Sequence, residues 1–185
     1  MDFQYNNITV SGKIASGTTT LAKNLKELLG WKHINAGGIQ RAYDREHHVN
    51  ENKHGALMRS DKHEQEMDAM TKHMLSSEKG LIYEAWLAGF MAKGIPKVLK
   101  VLLYCSEDAI RIDRVVNREN ISIDEAKQWI KQRETENIQK WKKLYGDYDF
   151  WDKKYYDIAI DTYGSGPMET VGIVLDKLGY RVKQK

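Results

Sequence analysis

Ile8-Thr9-Val10-Ser11-Gly12-Lys13-Ile14-Ala15-Ser16-Gly17-Thr18-Thr19-Thr20-Leu21 is the stretch whose reading decides the fold. Ile8–Val10 is a short β-branched run, and Leu21, Leu25, Leu28 and Leu29 recur at helical spacing through Thr18–Leu29. The order is strand, glycine-rich loop, helix, with Gly30 at the C-cap. Gly12 and Gly17 have the spacing of a Walker A loop, which lets backbone N–H groups curl round a phosphate. The helix starting near Thr18 points its free N–H groups and positive dipole end at the same anion. Thr19 takes the place whose hydroxyl ligates Mg²⁺. Thr18 stands where lysine normally follows the second glycine, and the loss of one such contact to the transferring group costs about 3–4 kcal/mol.

Working outward, short apolar strands alternate with helical patterns. Strands are expected at Trp31–Asn35, Leu81–Tyr83, Val98–Cys105 and Tyr156–Ile160. Helices are expected from near Ile39, around Met67, Met70, Met74 and Leu75, and over Glu107–Arg118, Ile123–Leu144 and Pro167–Leu178. Ser122 with Glu125 forms a capping box for the longest of them. The polar stretch Tyr43–Glu66 has few large apolar anchors and reads as mobile or peripheral. The pattern predicts an α/β three-layer sandwich of the P-loop NTPase type, with a parallel sheet of about five strands and helices on both faces.

A chain of 185 residues, 41% hydrophobic, suits a single domain over 1–185. It has no apolar run near the roughly 18 residues of a membrane helix and no leader pattern at its amino terminus, so a cytoplasmic protein with no membrane partner is expected. Cys105, the lone cysteine, reads as a buried inert thiol. A net charge of +3 from 29 basic and 26 acidic residues is a mixed surface that tolerates an anionic ligand. Trp141, Lys142, Lys143, Tyr145, Tyr148, Phe150 and Trp151 could stack bases, but such spacing more often packs a helix end, and nucleic acid is not expected as a partner. His47-His48 has no second ligand pair at fixed spacing for a metal.

Ile8–Gly12 followed by Ser16-Gly17-Thr18-Thr19-Thr20 resembles the opening of the archaeal-type cytidylate kinases, in which Gly-Thr-Thr-Thr ends the loop. The resemblance continues through His33–Arg41, through Tyr83–Phe90, to Tyr145-Gly146 and to Ile160-Asp161-Thr162. It implies transfer of the ATP γ-phosphate to CMP or dCMP with Mg²⁺, small nucleotides as substrates, and a monomer or weak homodimer. By the same resemblance Gly12, Lys13, Ile14, Ala15, Ser16, Gly17, Thr18 and Thr19 hold the triphosphate, and Thr19 and Glu84 flank the metal. Gly37, Arg41, Glu84 and Trp86 lie on the acceptor side, with Arg41 gripping the acceptor phosphate. Arg111, Arg114, Arg118 and Arg133 resemble lid arginines, although for each an ion pair with Glu107, Asp113 or Glu134 is as good a reading. An acceptor-binding insertion is expected over about 39–75 and a lid over about 111–143.

Two departures stand out. The family's Glu-Gly-Arg is Glu84-Ala85-Trp86 here, and its Asp-Arg-Arg-Gln is Asp68-Ala69-Met70-Thr71. Trp86 could stack on a base or pack in the interior. Lys13 stands where the family has an uncharged residue; it is either an exposed lysine or one that reaches across a dimer. The rival readings are a P-loop kinase for another small acceptor and a catalytically degenerate nucleotide-binding regulatory protein.

Overall fold

The computed structural model describes residues 3–50 and 53–181. Five parallel strands run β1 (Asn7–Gly12), β2 (Lys32–Asn35), β3 (Leu81–Glu84), β4 (Val98–Tyr104) and β5 (Ile158–Asp161), in the sheet order β2-β3-β1-β4-β5. The helices are α1 (Thr18–Leu29), α2 (Ala36–Glu46), α3 (Asp61–Ser77), the single turn α4 (Ala88–Met91), α5 (Asp108–Glu119), α6 (Ile123–Tyr145) and α7 (Pro167–Leu178). β1 is central and buried on both faces, which is why its sequence shows no polar side.

Alternation along the strands sends side chains to two cores. Ile8, Val10, Ile82, Leu99, Val101 and Leu103 pack against Leu21, Ala22 and Leu25 of α1 and Val171, Val174 and Leu178 of α7. Leu81, Tyr83 and Val98 face the other way, onto Leu75 of α3 and Ala88 of α4. Asn7 on β1 ties the end of α3 to the sheet. Its amide donates to the carbonyls of Leu75 and Glu78 at 3.0 and 2.8 Å, and its carbonyl accepts from Leu81 N–H at 3.0 Å. The three layers expected from the alternating pattern are therefore present.

The boundaries differ in instructive ways. α2 begins at Ala36 rather than near Ile39, because the Asn35 side chain caps it by accepting from Gly38 N–H at 2.8 Å. β5 starts at Ile158, and Tyr156 instead turns inward, its hydroxyl donating to the Phe150 carbonyl at 2.8 Å. β4 ends at Tyr104, so Cys105 is half-buried rather than buried, its thiol donating to the Glu107 carbonyl at 3.3 Å. The capping box at Ser122 and Glu125 forms as read. Among the described residues no helix is long and apolar enough to cross a membrane.

The largest correction concerns Tyr43–Glu66, of which residues 51 and 52 lie outside the described residues. Most of this stretch is ordered by charge rather than by apolar anchors. Arg59 donates to both carboxylate oxygens of Asp44, at 2.9 and 3.1 Å, and to Glu64 at 2.9 Å. Asp44 is 1% exposed and Glu64 5%. Gly55 and Ala56 N–H donate to Glu136 and Asn137 of α6 at 2.6 and 2.5 Å, and Lys140 pairs with Asp61. A run of polar residues looks solvated in sequence, yet here it is a paired network clamped between α2, α3 and α6.

Removing one partner of a buried pair leaves the other charge uncompensated. Arg59→Met should therefore lower unfolding free energy by about 3–5 kcal/mol, measured by urea denaturation; a loss under about 1 kcal/mol would refute the clamp.

Candidate functional site

The loop between β1 and α1 takes its shape from two glycines. A Cβ on Gly12 would lie 2.2 Å from Ser16 Oγ and 2.5 Å from the Leu103 carbonyl, so no side chain fits. Gly17 has φ 95° and sits at the N-cap of α1 with no side chain capping the helix. Ser16 Oγ donates to the Lys13 carbonyl at 2.9 Å and tightens the turn. The first-turn N–H groups of a twelve-residue helix are thus left for an anion.

Glu84 closes this mouth from the end of β3. In register it lies beside Val10 of β1 and Asn35 of β2. Thr18 Oγ1 donates to Glu84 Oε1 at 3.1 Å, and the Thr19 hydroxyl donates to the same oxygen. The other carboxylate oxygen meets His33 Nε2 at 3.1 Å, with both side chains nearly buried. Sequence reading missed His33. Its signal is the strand register, since His33 pairs with Ile82, two residues before Glu84, and so shares that face. Finding it requires knowing that β2 and β3 are neighbours.

A cavity of about 790 Å³ opens over the loop and is lined by Gly17, Thr18, Thr19, Asn35, Arg41, Arg114, Arg118, Arg133 and Thr162, among others. Four of the expected arginines therefore meet round one space. Arg41 reaches it from α2, and Gly37 leaves it room, since a Cβ there would be 3.3 Å from Arg41 Nη1. Arg133 comes from α6 with its Nε buried and without a hydrogen-bond partner among the described residues. Burial, then the nearby Arg118 and Arg41, push its guanidinium down to about 10. Arg118 is half-exposed and paired with its neighbour Glu119.

Arg111 and Arg114 do different work. Arg111 is buried, donates from Nε to the Ile14 carbonyl at 3.0 Å, and pairs with Asp108 and Glu134. It does not line the cavity. Arg114 donates to the Ala15 carbonyl at 3.0 Å, and to the hydroxyl and carbonyl of Thr162 at 3.1 and 3.0 Å. Together they fasten α5 to the back of the loop.

Lys13 points away from the cavity, its ammonium 5.0 Å from the centre of the Trp151 ring. Trp86 lies edge-on to Trp141 at 5.7 Å and tilted against Trp151 at 6.1 Å, and it also touches the cluster round Ile14 and Val115. The aromatics from Trp141 to Trp151 thus pack the end of α6 and the following loop, as their spacing suggests.

On α3, Thr71 donates to the Tyr83 hydroxyl at 2.8 Å and pins the helix to β3. One turn earlier, Asp68 accepts a hydrogen bond from Tyr145. Burial, with the Glu64 carboxylate adding to it, pushes Asp68 up to about 7.

The sequence profile described as the cytidylate kinase-like family matches residues 7–163. A cytidylate kinase of Thermococcus sibiricus is 36% identical over 169 residues, covering 90% of this chain and 84% of the relative. Another, of Pyrococcus abyssi, is 37% identical over 172 residues, covering 90% of each. Among solved structures, a gluconokinase from Sinorhizobium meliloti superposes with a TM-score of 0.61 at 14% identity, covering 96% of this chain and 94% of the other. At that identity the match shows the P-loop kinase fold alone.

The raised Asp68 carboxyl carries a stability signature. The folded protein holds this proton more tightly than the unfolded chain, so the contribution is complete below the ordinary value of 3.8 and is lost as pH rises through about 7. Asp68→Asn should flatten the fall in stability between pH 4 and 8 and raise unfolding free energy at pH 8 by on the order of 2 kcal/mol. Parallel pH profiles for the two proteins in thermal melts would refute this.

Proposed function

Because the chain belongs to the cytidylate kinase-like family, we propose that it is an ATP-dependent nucleoside-monophosphate kinase transferring the γ-phosphoryl group to CMP or dCMP. The observation that carries this reading is the cavity itself. The bare amides of α1 with Thr18 and Thr19, whose hydroxyls bond to Glu84, share this space with Arg41, Arg118 and Arg133.

Chemistry follows from that layout. The amides of Gly12–Thr19 hold the β- and γ-phosphates, and Arg41 fixes the acceptor phosphate in line with the γ-phosphorus. An acceptor phosphate oxygen bonds to phosphorus as the bond to the β–γ bridging oxygen breaks, and ADP departs. Positioning and charge neutralisation supply the rate, with no covalent enzyme intermediate. The hydroxyl of Thr19 and the carboxylate of Glu84 are hard oxygen donors side by side, a set that suits Mg²⁺ sharing phosphate oxygens and water. When bound there, the ion would draw charge from the phosphates. His33 orients Glu84 from behind.

The 39–75 insertion and the 111–143 arm act as acceptor clamp and lid, excluding water that would otherwise hydrolyse ATP. A cytoplasmic monomer or weak homodimer acting on small nucleotides goes with this assignment. A kinase for a different small acceptor and a degenerate regulatory protein are less favoured, given relatives named cytidylate kinase matched over nine-tenths of the chain.

A coupled ADP-release assay across CMP, dCMP, UMP, AMP and simple alcohols tests the reading. CMP or dCMP should exceed AMP at least about tenfold in kcat/KM, and a blank for every pyrimidine nucleotide would overturn it. Arg41→Met should raise KM for the acceptor by about tenfold or more while KM for ATP stays within about threefold. Glu84→Gln should lower kcat by about 10²-fold with ATP affinity largely kept, read by single-turnover kinetics and calorimetry.

A further inference from the structure

We infer that Arg111 is a positioning residue for the phosphate loop: by binding the Ile14 carbonyl, it holds the Ile14–Ala15 peptide in the orientation that turns the Ala15 N–H toward the donor phosphates. This rests on the phosphoryl-transfer reading above, and it gives Arg111 a part in which it never touches substrate.

Residues 13–16 form a tight turn, with Ser16 N–H donating to the Lys13 carbonyl at 3.3 Å. Ala15, the third residue of the turn, has φ 57°, while Ile14 is not among the residues of positive φ. Positive φ at the third position alone is the type II pattern, which ordinarily calls for glycine there. An alanine in the left-handed region is sterically disfavoured, because its Cβ crowds the following carbonyl oxygen, and left to itself it prefers the type I form. The two forms differ chiefly by a flip of the central peptide, here Ile14–Ala15. In a planar trans peptide the C=O and N–H point to opposite sides, so the flip would exchange the Ile14 carbonyl with the Ala15 N–H.

Arg111 opposes that flip. Its Nε donates to the Ile14 carbonyl at 3.0 Å, a bond from a charged donor. Asp108 and Glu134 hold the same guanidinium from α5 and α6. The Ile14 side chain is buried beside Val115 and Ala126, so the turn is gripped by its side chain as well as by its carbonyl. Ala15 lines the cavity and Arg111 does not. A carbonyl aimed at Arg111 therefore leaves the N–H of its peptide on the cavity side. Flipped, the peptide would present a carbonyl oxygen to the phosphates and strip a buried guanidinium donor of its acceptor. The following peptide is fixed separately, through the Ala15 carbonyl and Arg114 Nη1 at 3.0 Å. Arg114 itself lines the cavity, whereas Arg111 acts on the loop without facing the ligand.

The test is a rescue by glycine, read as binding of Mg–ATP in calorimetry. Arg111→Met should weaken binding by about tenfold, because the competent turn becomes a minor population. In the coupled assay KM for ATP should rise by a like factor, with KM for the acceptor kept within about threefold. Ala15→Gly removes the penalty of positive φ and should restore at least about fivefold in the Arg111→Met chain, a gain exceeding its effect in the native chain by at least about threefold. Glycine at 15 would not repair a lost ion pair. Glu134→Gln keeps Arg111 on the carbonyl and should hold Mg–ATP affinity within about threefold. Arg111→Met leaves the Glu134 carboxylate without its partner, so if that variant fails to fold the comparison is made in Arg111→Met/Glu134→Gln. A native protein that binds Mg–ATP, with the Arg111 variant within about threefold of it or with glycine acting alike in both chains, overturns the Arg111 assignment alone. A native protein that binds no Mg–ATP overturns the phosphate reading of the loop and this inference with it.

Discussion

Unpaired amides at the start of α1 are the constraint to which the rest of the site answers. Gly17 begins that helix without a side chain to cap it, and Gly12 allows the loop to lie against the Leu103 carbonyl. Amides so exposed at a helix start favour an anion. Because β1 sits in the middle of the sheet, the loop emerges at the carboxyl end of the strands with β3 on one side and β4 on the other. Glu84 from β3 then stands beside the same opening and is held by Thr18, Thr19 and His33. Central strand, bare helix end and flanking carboxylate form one arrangement, not three separate features.

Around it the arginines divide into two groups by what they bond. Arg111 and Arg114 spend their donors on the carbonyls of Ile14 and Ala15 and so brace the loop from α5. Arg41, Arg118 and Arg133 face the cavity. Burial, with Arg118 and Arg41 adding to it, pushes the Arg133 guanidinium down to about 10. The Arg59 clamp and the bonds of Glu136 and Asn137 join α2, α3 and α6 behind the arginines.

Legibility in the sequence follows the range of the interactions. The loop, its two glycines and the hydroxyl pair lie within a dozen residues, so spacing alone exposes them. The strands show as short apolar runs because a buried parallel sheet leaves no polar face. Arg41 and Glu84 were found through family resemblance, whereas His33 needed the neighbour relation of β2 and β3, which no local pattern encodes. Tyr43–Glu66 misled because Asp44, Arg59 and Glu64 are individually polar, and only their pairing makes burial tolerable. Arg111 and Arg114 looked alike on one helix, yet three residues of spacing turn them to different carbonyls.

The end of β3 shows a redistribution of charge and volume. Where the family carries arginine after Glu84-Ala85, Trp86 fills the gap between the loop cluster at Ile14 and the aromatic cluster of Trp141 and Trp151. Positive charge instead appears one strand away at Lys13, whose ammonium rests on the Trp151 ring. Thr71, in the place of the family's glutamine, bonds to Tyr83 and closes α3 onto β3. Arginines reach the cavity from α2, α5 and α6, through Arg41, Arg114, Arg118 and Arg133. The sheet contributes a carboxylate, and the β3 end becomes an aromatic wall rather than a charged one.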